Sequence, residues 1–335
     1  MTIAMRARHG CLLLVASAFA TACASSPSGP SDPSIGTKML GQTVNASDGT
    51  GAGGLSVEVG RTRVTTDTNE YFQAEVGGRG TYATTITGAA VVNHETALTG
   101  PTADRLRVSL IPASFDLAAF DQMFRTANSR LQRWTSRPPL VVVATTMSFK
   151  SGNGDEYSAI SDQMSDDEVS LLVAHLTEGL TLLTGGTYTS FASVSIEHPA
   201  SGDRVDIVRS GQIVVGRYTG VVGFVDTIGF GRWQEQADGT VTGGSIYLDR
   251  DFDRNDPRRR LLRFHELGHA LGYLHVTTRT SIMNPSIGPE PTEFDRSGAV
   301  IAFQRPPGNV TPDVDPGQPV RGFSAATGRW VAPIP

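Results

Sequence analysis

His265-Glu266-Leu267-Gly268-His269-Ala270-Leu271-Gly272-Tyr273-Leu274-His275 is the stretch on which the reading of this 335-residue chain turns. Just upstream, Asp256-Pro257 has the form of an N-cap followed by a first-turn proline. Leu261, Leu262, His265, His269 and Leu271 then continue at helical spacing, which predicts a helix over about Pro257 to Leu271. His265 and His269 stand at i and i+4, so both imidazoles leave one face and can bind a single ion. Glu266 lies one residue round, beside the ion's open position, where a carboxylate can take a proton from bound water and return it to a leaving amine. A straight helix would carry His275 off that face. Gly272 resolves this, because glycine adopts the left-handed conformation that ends a helix and turns the chain back. Three neutral nitrogens plus one water form the open tetrahedral set of a catalytic zinc, whereas a structural zinc takes all four ligands from protein.

The run matches H-E-x-x-H-x-x-G-x-x-H at every fixed position and resembles the signature of the metzincin clan of zinc peptidases. Met283, eight residues beyond His275 in Ser281-Ile282-Met283-Asn284-Pro285, has the spacing of the Met-turn of matrixins, the collagenase-like branch. The resemblance implies a zinc endopeptidase acting on a protein or peptide substrate. It assigns one catalytic Zn2+ to His265, His269 and His275, the activation of zinc-bound water to Glu266, and an apolar floor beneath the histidines to Met283. It also implies that the hairpin Ile228 to Asp249 supplies an edge strand, with an extended peptide pairing along Gly229 to Trp233.

Several departures limit the resemblance to the clan. Asn284 stands where matrixins commonly have tyrosine, and a helix near Ser165 to Thr184 is additional. The other histidines, His9, His94, His175 and His198, all lie outside the hairpin that holds the matrixins' structural zinc, so one zinc is expected. Asp249 to Asp256 resembles their acidic calcium turn, but Phe252 replaces a glutamate ligand and Arg250 and Arg254 offer local neutralisation. Calcium is the lesser of two readings there and a solvated cap loop the greater.

At the N-terminus, Arg6 and Arg8 precede the apolar run Cys11 to Ala20, too short to span a bilayer and patterned as an export signal. It ends in Ala20-Thr21-Ala22-Cys23, which resembles the lipobox of bacterial lipoproteins. That implies a signal peptide over 1–22, Cys23 as lipid anchor in the cell-envelope membrane, and a Ser/Pro/Gly tether to residue 36. The other reading is a plain A-x-A cleavage site, with Cys23 free and the protein secreted. Cys11 and Cys23 are the only cysteines, so the folded part is expected to have no disulfide. A net charge of -5 without a basic run argues against nucleic acid as partner, and no G-x-S-x-G elbow points to a serine hydrolase.

Residues 37–105 read as short strands around Gln42-Thr43-Val44, Leu55 to Val59, Arg63 to Thr66, Tyr71 to Val76 and Tyr82 to Ile86, parted by Gly, Asn and Asp. With Gly54-Leu55-x-Val57-x-Val59, Thr66 to Phe72 and Gly80-Thr81-Tyr82, this stretch resembles the carboxypeptidase-regulatory, transthyretin-like module, which implies a β-sandwich without chemistry of its own. Gly49 to Gly54 fits G-x-G-x-x-G by letter but opens no helix, and reads as an inter-strand loop.

From 106 to 307 the texture is mixed. A strand is predicted at Arg107 to Ile111, and a helix capped by Asp116 runs through Phe120, Phe124, Leu131 and Trp134 to Pro138. A strand follows at Leu140 to Ala144, then a helix opened by the capping box Ser165 to Glu168 and closed at Gly185-Gly186. Strands at Val205 to Val208, Gln212 to Val215 and Val221 to Phe224 precede the hairpin, which turns at Ala237-Asp238-Gly239. Residues 308–335 read as an irregular tail. The fold class is therefore α+β: a metzincin-like domain with a twisted mixed sheet and an active-site helix, behind a small all-β sandwich. The alternative function is an inactive surface binding or adhesion lipoprotein on the same fold, against which an intact Glu266 argues.

Overall fold

A computed structural model describes residues 37–101, 103–125, 129–150, 156–200, 205–222 and 227–317. Residues 1–36, on which the expected signal peptide, lipid-anchor Cys23 and tether fall, and residues 318–335 lie outside the described residues. The described chain is α+β, with three sheets and five helices among those residues.

Seven strands come first: β1 (Lys38–Asn45), β2 (Ser56–Val59), β3 (Thr62–Thr65), β4 (Tyr71–Glu75), β5 (Gly80–Thr87), β6 (His94–Gly100) and β7 (Leu106–Leu110). They form two sheets, ordered β4-β1-β7 and β3-β2-β5-β6. Alternation does the sorting, since a strand turns every second side chain to the same face. Met39 of β1, Phe72 and Ala74 of β4, and Val108 and Leu110 of β7 join Val57 and Val59 of β2 and Ile86 of β5 in one apolar cluster. Gly49 to Gly54 joins β1 to β2, as a loop should. β6 has no counterpart among the predicted strands. The change of texture at 105 assigns Leu106 to Leu110 to the second domain, but β7 runs parallel to β1, with Gly41 opposite Leu106 and Asn45 opposite Leu110. β7 therefore belongs to the sheet of β1 and β4.

The larger part follows, with α1 (Leu117–Phe124), β8 (Leu140–Lys150), β9 (Glu156–Gln163), α2 (Asp166–Leu183), β10 (Val194–Glu197), β11 (Ile213–Val222), β12 (Gly229–Glu235), β13 (Val241–Asp249), α3 (Arg250–Asn255), α4 (Arg259–Ala270) and α5 (Glu293–Phe303). Its sheet runs β10-β8-β11-β13-β12, with β9 pairing β8 off that path. β10, β8, β11 and β13 are parallel to their neighbours, and β12 is the antiparallel edge. Leu140, Val142, Ile213, Val215, Ile246 and Leu248 meet the helices on one face. Val141, Val143, Val214 and Tyr247 meet Val205 and Ile207 on the other. Burial on both faces explains the unbroken apolar run of β8. In α2, Leu172, Leu176, Leu180 and Leu183 are fully buried, each contributing about 1.5–3 kcal/mol.

Beyond β9, β10 and α3, which the sequence pattern does not signal, three elements of this part differ from expectation. The first helix ends at Phe124 rather than near Pro138: Arg125 turns extended, and its guanidinium is buried against Asp121, Thr311, Asn309 and the Pro312 carbonyl. Leu131 and Trp134 still reach the core, but from a non-helical segment. Val205 to Val208 is not a strand, although Ser245 holds it to the sheet through the Ile207 carbonyl at 2.6 Å. α5 was not anticipated. Two expectations hold closely: the Ser165–Glu168 capping box opens α2, and the hairpin turns at Gly239 with φ 89°. No described helix is long and apolar enough to cross a membrane.

The segment after α5 is irregular but firmly held. Arg305 donates to both oxygens of buried Asp313 and to the Ser109 carbonyl of β7. His94 of β6 meets Asp313 at 3.0 Å, and Thr96 donates to Asp315. Residues beyond 307 thus bind the two-sheet part to the larger one.

Candidate metal centre

α4 is buried along nearly its whole circumference because it lies between α2 and the β12–β13 hairpin. A Cβ on Gly179 of α2 would come within 2.9 Å of Phe264, and one on Gly244 of β13 within 2.8 Å of the Ala270 carbonyl. At Gly231 of β12 a Cβ would lie 2.5 Å from the Glu266 carbonyl oxygen and 2.6 Å from the His269 Cβ. Glycine there lets the edge strand touch the helix backbone. The regular helix begins two residues later than the sequence predicts, with Arg258 at its N-cap making no side-chain capping bond. Asp256 closes α3 with its backbone N–H, while its carboxylate accepts from the Arg258 backbone N–H at 2.7 Å and from its guanidinium, and its carbonyl accepts from the Arg259 N–H, so it caps the turn through Pro257 that leads into α4.

The C-terminal turn is as predicted. Gly272 has φ 105°. The Tyr273 N–H donates to the Gly268 carbonyl and the Gly272 N–H to the His269 carbonyl, the paired bonds of a Schellman end. The Trp134 indole satisfies the Ala270 carbonyl at 3.1 Å. The chain reverses, the Leu274 N–H is held by the Met123 carbonyl, and His275 returns to its two partners.

The three Nε2 atoms form a nearly equilateral triangle, 3.2 Å from His265 to His275, 3.2 Å from His265 to His269 and 3.1 Å from His269 to His275. Metal–nitrogen bonds of about 2.0–2.1 Å at near-tetrahedral angles need separations of about 3.1–3.4 Å. His265 Nδ1 donates to the Ile282 carbonyl at 2.8 Å and His269 Nδ1 to the Tyr273 carbonyl at 2.7 Å, which leaves each Nε2 as a bare lone pair. Burial lowers all three imidazoles, His265 to about 4 and His269 to about 3, so near neutral pH they are uncharged. Lone pairs converging on one point repel each other, and a cation there removes the conflict. The residues therefore fit a metal ion, and among the described residues this is the one such group of His, Cys, Asp or Glu. His275 is exposed, so the triangle opens to solvent on its side.

Glu266 is 3% exposed, and its Oε2 has no partner. Burial pushes its carboxyl well above the usual carboxylate range. A Cβ on Gly229 would come within 2.9 Å of Oε1, which places the carboxyl beneath the start of β12.

Met283 is fully buried, and a Cβ on Gly268 would lie 2.4 Å from its sulfur, so it packs directly under the helix turn that carries the histidines. Asn284 braces the loop between His275 and Met283, donating to the Val276 and Arg279 carbonyls and accepting from the Ser281 N–H. The acidic turn does not gather its carboxylates on one point. Asp249 caps α3, Asp251 pairs with Arg250, and fully buried Asp253 accepts from Arg217 and, bidentately, from Arg263 of α4. Arginine cations neutralise that turn.

The sequence did not single out Asp295, fully buried on α5, which accepts from Ser281 Oγ at 2.5 Å, the Ile282 N–H at 3.2 Å, and the Thr292 N–H and hydroxyl. Its one local signal was the Thr292-x-x-Asp295 capping box. No family model matches this chain, and no curated protein matches it.

Proposed function

We propose that this chain is a zinc-dependent endopeptidase of metzincin type. The observation that supports it most is the triangle of three bare Nε2 atoms on neutral imidazoles, open on one side, with Glu266 on the same helix. Zinc bound there would supply Lewis acidity and a water acidic enough to react near neutral pH.

The chain's own residues do the rest. β12 is an antiparallel edge, the kind of strand on which an extended peptide can align along Gly229 to Trp233 beside α4. Glu266 accepts a proton from the attacking water and delivers it to the amine that leaves. Burial strengthens the hold of that carboxyl on the proton it takes. The Ile282 and Tyr273 carbonyls keep His265 and His269 in the tautomer that presents Nε2.

The test is cleavage of unfolded proteins and a peptide library by the zinc-loaded protein, beside Glu266→Gln. Cleavage by wild type that falls by at least about a thousandfold in the variant, with zinc retained by both, is the expected result. Equal inertness of both with zinc bound would leave an inactive binding protein and end this proposal.

A further inference from the structure

We propose that Asp295 tunes the metal centre at a distance, through a hydrogen-bond relay that runs by Ser281 and the Ile282–Met283 peptide to His265. The inference rests on the metal-site reading above and names a residue that touches none of the three histidines.

The path is continuous. Asp295 Oδ1 accepts from Ser281 Oγ at 2.5 Å. Ser281 Oγ in turn accepts from the Met283 N–H at 3.0 Å. That N–H belongs to the same peptide unit as the Ile282 carbonyl, which accepts from His265 Nδ1 at 2.8 Å. Every link points the same way, with each donor's hydrogen directed toward the carboxylate. Hydrogen bonds in such a chain polarise one another, and a low-dielectric interior strengthens the effect. Ser281, Met283 and Asp295 are all fully buried, and the His265 side of the chain is nearly so. The negative charge thereby draws density toward the Ile282 oxygen, tightens its hold on the Nδ1 proton and makes His265 Nε2 a stronger donor to a cation. Carboxylates bonded directly to a ligand histidine act in this manner; here a hydroxyl and a peptide lie between.

The same carboxylate also takes the Thr292 N–H and hydroxyl, at 2.7 and 2.8 Å. Those bonds cap α5 and lie off the path to His265. Thr292 is therefore an internal control: its loss disturbs Asp295 and the fold without cutting the relay.

The experiment measures zinc affinity of the purified, metal-stripped protein by competition with a chromophoric chelator, with circular dichroism to confirm folding. Wild type, Ser281→Ala, Asp295→Asn and Thr292→Ala are compared. The relay predicts that Ser281→Ala and Asp295→Asn each bind zinc about tenfold more weakly, at the lower end of what such partners contribute. Thr292→Ala should lose thermal stability but keep zinc affinity within about twofold. Affinity unchanged in a folded Ser281→Ala, or lowered equally in Thr292→Ala, would overturn the relay while leaving the metal site standing. Failure of the wild type to bind zinc at micromolar concentration would overturn the metal-site reading, and the relay with it.

Discussion

Glu266 carries two opposed demands on one side chain. Its carboxyl is 3% exposed with Oε2 unpartnered, so ionisation in the metal-free fold is costly, and burial raises its pKa well above 4.5. A raised folded pKa means that the folded state holds its proton more tightly than the unfolded chain. The stability this gives is present below about pH 4.5 and is lost as pH rises through the folded pKa. Glutamine has no charge to bury. The metal-free Glu266→Gln protein should therefore melt higher than metal-free wild type at pH 8, and the gap should narrow toward pH 4.5. Thermal melts at the two pH values decide it; a gap that is absent, or that widens in acid, would show that the carboxyl is not desolvated. At this scale the sequence was most legible where partners are near neighbours. His265, His269 and His275 lie within eleven residues and are set by one helix and one turn, so their spacing sufficed. Asp295 acts on residues 13 and 14 positions away, and Asp253 pairs with Arg217 across 36 positions. Those partnerships exist only once α5 and β11 have packed.

Element ends were read well where a local rule was the only rule in force. Ser165 and Glu168 form their capping box, and Gly272 ends α4. Local rules failed where a neighbouring element had a prior claim. Arg125 leaves the helical path to satisfy its guanidinium against the segment after α5. The contact between β12 and α4 was likewise hidden, because a glycine in a strand pattern does not say what approaches it. Gly231→Ala should separate the two elements, since the new Cβ would meet backbone oxygen at 2.5 Å and the His269 Cβ at 2.6 Å, neither of which has a flexible end to yield. Overpacking of this kind costs about 1–3 kcal/mol. Gly77→Ala is the contrast, with nothing within 4 Å of its Cβ, and should leave stability unchanged or slightly raised. Denaturant titration of both variants separates the cases, and a Gly231→Ala protein as stable as wild type would mean that β12 can lift off α4 freely.

The two-sheet part and the larger part were legible in the sequence by their different textures on either side of residue 105. Their union was not, for it depends on β7 entering the first part's sheet and on the segment after α5 returning to β6. The join is ionic and dry: Asp313 is fully buried, with Arg305 at 2.7 Å and His94 at 3.0 Å, each at most 4% exposed. Burial alone would raise the Asp313 carboxyl, but Arg305 and His94, by charge and hydrogen bond, hold it well below its usual value. Its contribution is therefore complete above about pH 4 and is lost as pH falls through the depressed pKa. Removing the Asp313 carboxylate leaves the buried Arg305 cation without its counter-charge, at about 3–5 kcal/mol, whereas an exposed pair such as Arg260–Glu178 contributes only about 0–1 kcal/mol. Wild type should unfold in one transition. Residues 37–110 contain no tryptophan, so in a Trp330→Phe background fluorescence from Trp134 and Trp233 follows the larger part, while far-ultraviolet circular dichroism follows both. The two midpoints should coincide in wild type and in Glu178→Ala. In Asp313→Asn both should fall, and they should separate as the coupling between the parts weakens. Separate midpoints already in wild type, or an Asp313→Asn protein that melts like Glu178→Ala, would show that the buried ion pair does not join the two parts.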